Sequence, residues 1–146
     1  MKDEFPEADM DKVITMCILH DMGEAFTGDI PSFNKTHDDE DREALLLNQW
    51  VTSLPQPYNR ELQELFEEMD QKQTLEARIF KAIDNMEAVI QHNESDTKTW
   101  LPMEFELNLI YGEENAAFSN YTKQLRQQLR LETEEKISNE KGLPSV

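Results

Sequence analysis

The chain has 146 residues, of which 31 are Asp or Glu and 14 are Lys or Arg, for a formal net charge of −17. This length suits one domain able to build its own core, while the charge excludes a general binder of nucleic-acid backbones and opposes attachment to an acidic membrane surface. No apolar run is long enough for a bilayer span or a signal-peptide core, and the lone Cys17 forms no internal disulfide, so a cytoplasmic, reducing setting is expected.

Glycine is scarce and β-branched alternation is almost absent, while apolar residues return every three or four positions. That period predicts an all-α fold of about five to six helices. The first helix starts at residues 8–10 with Asp9 as N-cap, carries Val13, Ile14, Cys17 and Ile18 on one stripe, and ends at Met22 and Gly23. A turn-rich connection follows over residues 23–34. Thr36 caps a second helix whose first turn holds Asp38, Asp39, Glu40 and Asp41 against the positive end of the helix dipole. Leu45, Leu46, Gln49 and Trp50 carry it to about residue 54, where Pro55 and Pro57 break it. A third helix, residues 58–70, turns Leu62, Leu65, Phe66 and Met69 inward. The fourth, residues 74–91, is apolar on two faces and therefore central, with Ile79, Ile83, Met86 and Ile90 on one and Ala77, Phe80 and Ala88 on the other. Residues 92–102 read as a loop and residues 104–110 as a short helix. A last helix, residues 113–135, lines up Phe118, Tyr121, Leu125 and Leu129. The single domain is expected to span residues 1–137, with a flexible polar tail over 138–146.

Three side chains occupy positions where apolar ones are expected. His20 is in register with Val13 and Cys17, Asp21 with Ile14 and Ile18, and Asp84 stands between Phe80 and Ala88 on the central helix. A buried carboxylate costs several kcal/mol unless it meets a cation, a metal or hydrogen-bond donors. If the first and fourth helices pack together, the three form an N/O ligand set for a divalent ion. The alternative is structural: a helix-end histidine beside a solvent-facing Asp21, and a salt bridge from Asp84 to Arg78 or Lys81. A second His-Asp pair, His37 and Asp38, reads as solvated helix capping.

The run from Ile18 through His20, Asp21, Glu24, Thr27, Gly28, Asp29 and Ile30 to Pro31, followed by the run from Glu76 to Asp84, resembles the HD-domain metal-dependent phosphohydrolases. Within them it is most similar to the bacterial 5′-deoxynucleotidase and HD-domain nucleotidase branch, over roughly residues 10–92. The resemblance implies an HD-domain-like helical bundle in which His20, Asp21 and Asp84 bind the metal. It further implies that Glu24 activates or positions the attacking water and that Asp29 orients the substrate or a ligand. The implied cofactor is a divalent ion, Mn, Co, Mg, Zn or Ni, and the implied partner a small nucleotide, with a homodimer as the implied assembly. The last helix's apolar stripe serves either such a dimer or the chain's own core. Lys81 reads as a phosphate contact or as a surface lysine.

The family motif also has a metal-binding His on an earlier helix, and residues 1–19 contain none. The sequence is therefore expected to be short at its N-terminus or divergent, with His37 and His92 as substitutes by residue type alone. Two functions follow: hydrolysis of a (deoxy)nucleoside 5′-monophosphate by a metal-activated water, or a catalytically impaired scaffold that binds a nucleotide or a protein.

Overall fold

Asp9 opens the first helix as the sequence predicts, its side chain accepting from the Lys12 amide in front of α1 (Met10–Leu19). The computed structural model describes residues 1–30 and 35–141. Pro31 and Asn34 of the expected connection, and Gly142 and Pro144 of the expected tail, lie outside the described residues. All regular structure among the described residues is helical, in keeping with an HD-domain helical fold. The chain divides into two compact units, Asp9–Ala77 and Met1–Ala8 with Arg78–Val146.

In the first unit, α1 is followed by α2 (Glu24–Thr27), α3 (His37–Ser53) and α4 (Tyr58–Gln71). Thr36 and Asp39 form the capping box that begins α3. The Thr36 hydroxyl accepts from the Asp39 amide at 3.3 Å, and the Asp39 carboxylate accepts from the Thr36 amide at 3.0 Å. α4 packs on α1 and α3, and α2 packs on α3. Lys12 joins α1 to α4 through Glu68 at 3.0 Å, and the Asp9 amide donates to Glu76 at 2.9 Å. The buried hydrophobic residues described in this unit are Val13, Met16, Val51, Met69 and Ala77.

The expected stripe of α1 is corrected here. Val13 is buried, but the second inward residue is Met16, while Ile14 and Ile18 are 53% and 72% exposed. The two polar ties at the helix start, Asp9 to Glu76 and Lys12 to Glu68, set its rotation about the axis, and that rotation turns the 13–16–20 line inward. Leu45 of α3 is likewise exposed, and Val51 is the buried position.

The second unit is built on α5 (Leu75–Glu94), α6 (Glu104–Ile110), α7 (Glu113–Ala116) and α8 (Asn120–Lys141), with a 3₁₀ turn at Thr97–Thr99. Ala82, Met86 and Val89 of α5 form a core with Leu129 of α8, against which Tyr111, Phe118 and Leu125 pack. Phe5 stacks on Phe118 at 5.8 Å. α5 runs three residues past its expected end, and part of the expected 92–102 loop is the 3₁₀ turn, held by Trp100, whose indole N–H reaches the His92 carbonyl at 3.1 Å.

The expected last helix is two helices. Ser119 caps the second, its hydroxyl accepting from the Thr122 amide at 3.1 Å, and this local bond competes with continuous helix at Phe118. α8 continues to Lys141, four residues into the stretch expected to be a tail. None of the described helices is long and apolar enough to cross a membrane.

Candidate functional site

α1 ends at Leu19 because the chain tightens, not because it unwinds. Met22, Glu24, Ala25 and Phe26 each donate a backbone bond three residues back, to Leu19, Asp21, Met22 and Gly23. At about three residues per turn, positions i and i+3 eclipse. Glu24 therefore stacks one turn above Asp21, where continued α-helical geometry would have put it above His20. Gly23 is required in this turn, since a Cβ there would stand 2.6 Å from Cγ of Glu43 on α3. Phe26 then meets Trp50 of α3 with ring centroids 6.1 Å apart.

His20 is the C-cap of α1, and its ring is fixed at both nitrogens. Nδ1 lies 2.8 Å from the Cys17 carbonyl, which makes it the protonated nitrogen, and Nε2 lies 2.9 Å from Asp21 Oδ2. A ring N–H tied to a backbone carbonyl is how metal-binding imidazoles are commonly oriented. Two donors bonded at about 2.1 Å to one octahedral ion stand about 3.0 Å apart, so the Nε2 and Oδ2 positions fit a pair of adjacent ligands. The same contact is an ion pair when the imidazole is protonated. Asp21 is well exposed and open to an incoming group.

Glu24 sits in a carboxylate-rich turn. Partial burial, and then the charges of Asp21 and Asp29, push its carboxyl above the ordinary glutamate value, while Lys35 pulls it down. Lys35 is itself held 2.7 Å from Glu43, whose hydrogen bond raises the lysine's pKa, and Thr27 also donates toward Glu43 at 3.5 Å. Asp29 follows Gly28, whose φ of +83° and ψ of 158° only glycine adopts readily, and is exposed. Lys35 and Glu43 were not legible as site residues. Their place at the turn arises from α3 packing on α2, and neither carries a local motif.

Asp84 belongs to the second unit, half-buried on α5, with Oδ2 2.6 Å from Lys81 Nζ. Of the two cations the sequence offers to Asp84, Lys81 makes the bond and Arg78 is exposed. The structure thus gathers His20, Asp21, Glu24 and Asp29 on one short stretch of the first unit. Among the described residues no group of three or more His, Cys, Asp or Glu side chains is arranged to hold a metal ion. His37 faces Glu40 of its own helix at 3.5 Å, and His92 faces Glu104 at 3.4 Å with its ring against Trp100.

Comparison with known proteins adds three findings. The sequence profile described as HD domain matches residues 1–126. Proteins named 5′-deoxynucleotidase HDDC2 from Bos taurus and Homo sapiens are each 33% identical over 86 residues, covering 58% of this chain and 42% of theirs. The Mus musculus protein of that name is 34% identical over 86 residues, covering 43% of its length. The matched stretch thus spans less than half the length of these relatives. No solved structure gives a significant match.

Proposed function

The chain belongs to the HD-domain family, and from that premise we propose that it is a metal-dependent phosphohydrolase acting on a small nucleotide, with a (deoxy)nucleoside 5′-monophosphate as the preferred class. The observation that carries this reading is the His20 and Asp21 pair, with Nε2 and Oδ2 2.9 Å apart and Nδ1 committed to a backbone carbonyl. His20, Asp21 and Asp84 are the residues that would hold the divalent ion. When bound, such an ion lowers the pKa of a coordinated water and offsets charge on phosphoryl oxygens. The relatives' name, 5′-deoxynucleotidase, supports the substrate class.

The chain's own groups divide the remaining work. Glu24 stacks over Asp21, and its raised pKa makes it a stronger proton acceptor than an ordinary surface glutamate. Its role is to take a proton from the attacking water. Asp29, held beyond Gly28 in the same turn, orients either that water or the sugar. Lys35 tempers the negative charge that the approaching phosphate meets.

Phosphate release from a panel of nucleoside monophosphates, each with Mn²⁺, Co²⁺ or Mg²⁺, tests the reading. Release with at least one metal, abolished in His20→Gln and Asp21→Asn, is the expected result, and no release with any metal overturns it. A second reading, a scaffold that binds a nucleotide or a protein without turnover, draws on one observation. Lys81 Nζ already engages Asp84 at 2.6 Å. Metal content after incubation with excess divalent ion and desalting discriminates, because a chain that stays metal-free cannot be the metallo-hydrolase.

A further inference from the structure

Arg126 is 2% exposed, yet no carboxylate pairs with it among the described residues. Its Nε donates to the Tyr111 carbonyl at 2.7 Å and its Nη2 to the Asn108 carbonyl at 2.9 Å. Nη1 is buried with no hydrogen-bond partner. Nearly all buried polar groups in folded proteins are satisfied, and a guanidinium donor left unsatisfied is especially costly. The nearby Glu113 does not resolve this, because its carboxylate is bonded to Arg130 at 3.1 Å.

The same arginine lines a cavity of about 310 Å³ with Lys123, Gln127, Glu113 and Ala116. Lys123, Arg126 and Gln127 stand at i, i+3 and i+4, one face of α8. They offer an ammonium, a guanidinium and an amide, and the one carboxylate among the described lining residues, Glu113, is bonded to Arg130 at 3.1 Å, a guanidinium it shares with Glu134 at 3.0 Å. In a chain of net charge −17, this wall is locally positive.

We propose that this cavity is an oxyanion site for a small phosphate-bearing ligand, built from residues that take no part in the proposed hydrolytic set. The donor geometry selects phosphate over carboxylate. The Nε–H and one Nη2–H of Arg126 are spent on backbone carbonyls, and the donors that remain are spread over three side chains, Lys123, Arg126 and Gln127. That is more than the two oxygens of one planar carboxylate engage together, whereas a tetrahedral phosphate presents several acceptors. A volume at the lower end of the usual range for small-molecule sites, about 300–1,000 Å³, admits inorganic phosphate or a small phosphate ester. These are two sources of one chemistry.

The test is titration of the whole chain, kept metal-free in EDTA, with inorganic phosphate, methylphosphonate as a non-hydrolysable ester stand-in, and acetate, followed by calorimetry and by the arginine Nε–H resonance of Arg126. EDTA keeps the outcome independent of whether the chain is a hydrolase. Saturable binding in the millimolar range or tighter is expected, with acetate weaker by about tenfold. Phosphate binding tighter than methylphosphonate assigns the free ion, and the reverse order assigns an ester. Replacing Arg126 risks the fold, because it pins two carbonyls. Lys123→Ala and Gln127→Ala change exposed residues, and together they are expected to weaken phosphate by about tenfold or more while far-ultraviolet circular dichroism stays unchanged. Absence of saturable phosphate binding, equal binding of acetate, or undiminished binding in the double variant overturns the proposal.

Discussion

Gly112→Ala is a sharp probe of the second unit, because two independent costs fall on one methyl group. Gly112 has φ of +77° at the entry to α7, and an added Cβ would stand 2.7 Å from the Asn85 Cβ. The left-handed conformation costs an L-residue about 1–2 kcal/mol, and forcing a methyl into packed space costs a further 1–3 kcal/mol or so. Against these, alanine narrows the unfolded ensemble and returns about 0.4–1 kcal/mol. The net expectation is a loss of about 2–4 kcal/mol, a large share of a typical domain stability of roughly 5–15 kcal/mol. Asn85 cannot simply step aside, since it is 5% exposed and its amide donates to Asn115 at 2.8 Å. Urea unfolding followed by circular dichroism measures the loss. Repeating it in an Asn85→Gly background separates the two costs, because that background removes the opposing Cβ and leaves only the backbone strain. The cost of Gly112→Ala should fall there by about 1–3 kcal/mol. An equal cost in both backgrounds, or a total below about 0.5 kcal/mol, refutes the reasoning.

Glu24→Gln is expected to stabilise the protein at neutral pH. The folded-state pKa is raised, so the folded state holds the proton more tightly than the unfolded one, and stability falls as pH climbs from 4.5 through the folded value. The amide removes that loss, by up to about 0.5 kcal/mol at this partly exposed position, and its advantage should vanish below about pH 4. In the same variant phosphate release should drop by about 10²–10⁴-fold if Glu24 is the base. Thr36→Ala should cost about 1 kcal/mol in urea unfolding. The Thr36 hydroxyl and amide hold the Asp39 carboxyl below its usual 3.8, so this contribution is present above that value and fades as pH falls through the lowered one. Met16→Ala should cost about 2–5 kcal/mol, whereas Ile18→Ala should stay within about 0.5 kcal/mol. The opposite order would mean that α1 buries its other face.

The sequence carried the elements that depend on local chemistry. Asp9 and Thr36 cap where their hydrogen-bonding side chains predict, Pro55 and Pro57 separate α3 from α4, and Met69 points inward with Leu62, Leu65 and Phe66 half-buried. The errors lie where tertiary contacts choose between equivalent local options. The 13–14–17–18 and 13–16–20 lines on α1 are both plausible apolar faces by period, and salt-linked neighbours on α4 and α5 decide between them. Ser119 and Thr122 carry a readable capping signal that the aromatic spacing of Phe118 and Tyr121 obscured. That His20, Asp21, Glu24 and Asp29 lie on one short stretch follows from their closeness in sequence. The place of Lys35 and Glu43 at the turn does not, because it comes from α3 folding back on it.

The tight winding after α1 also bears on why an acidic chain would handle a phosphate. With i+3 bonds, Asp21 and Glu24 are stacked, and Asp29 and Glu43 add to the field on Glu24 against the single cation Lys35, itself bonded to Glu43. For stability alone this arrangement is unfavourable, since the fold works against Glu24 ionisation at neutral pH. A divalent ion at the His20 and Asp21 pair would reverse the sign. It would neutralise the Asp21 charge that helps raise the Glu24 pKa, and it would stabilise the folded chain by an amount that grows with the logarithm of free metal above its Kd. The stabilising effect of Glu24→Gln at neutral pH should therefore shrink when Mn²⁺ or Co²⁺ is added to wild type and variant alike, as read by paired urea titrations. An effect that persists unchanged at saturating metal would place the ion away from this turn, and with it the proposed chemistry.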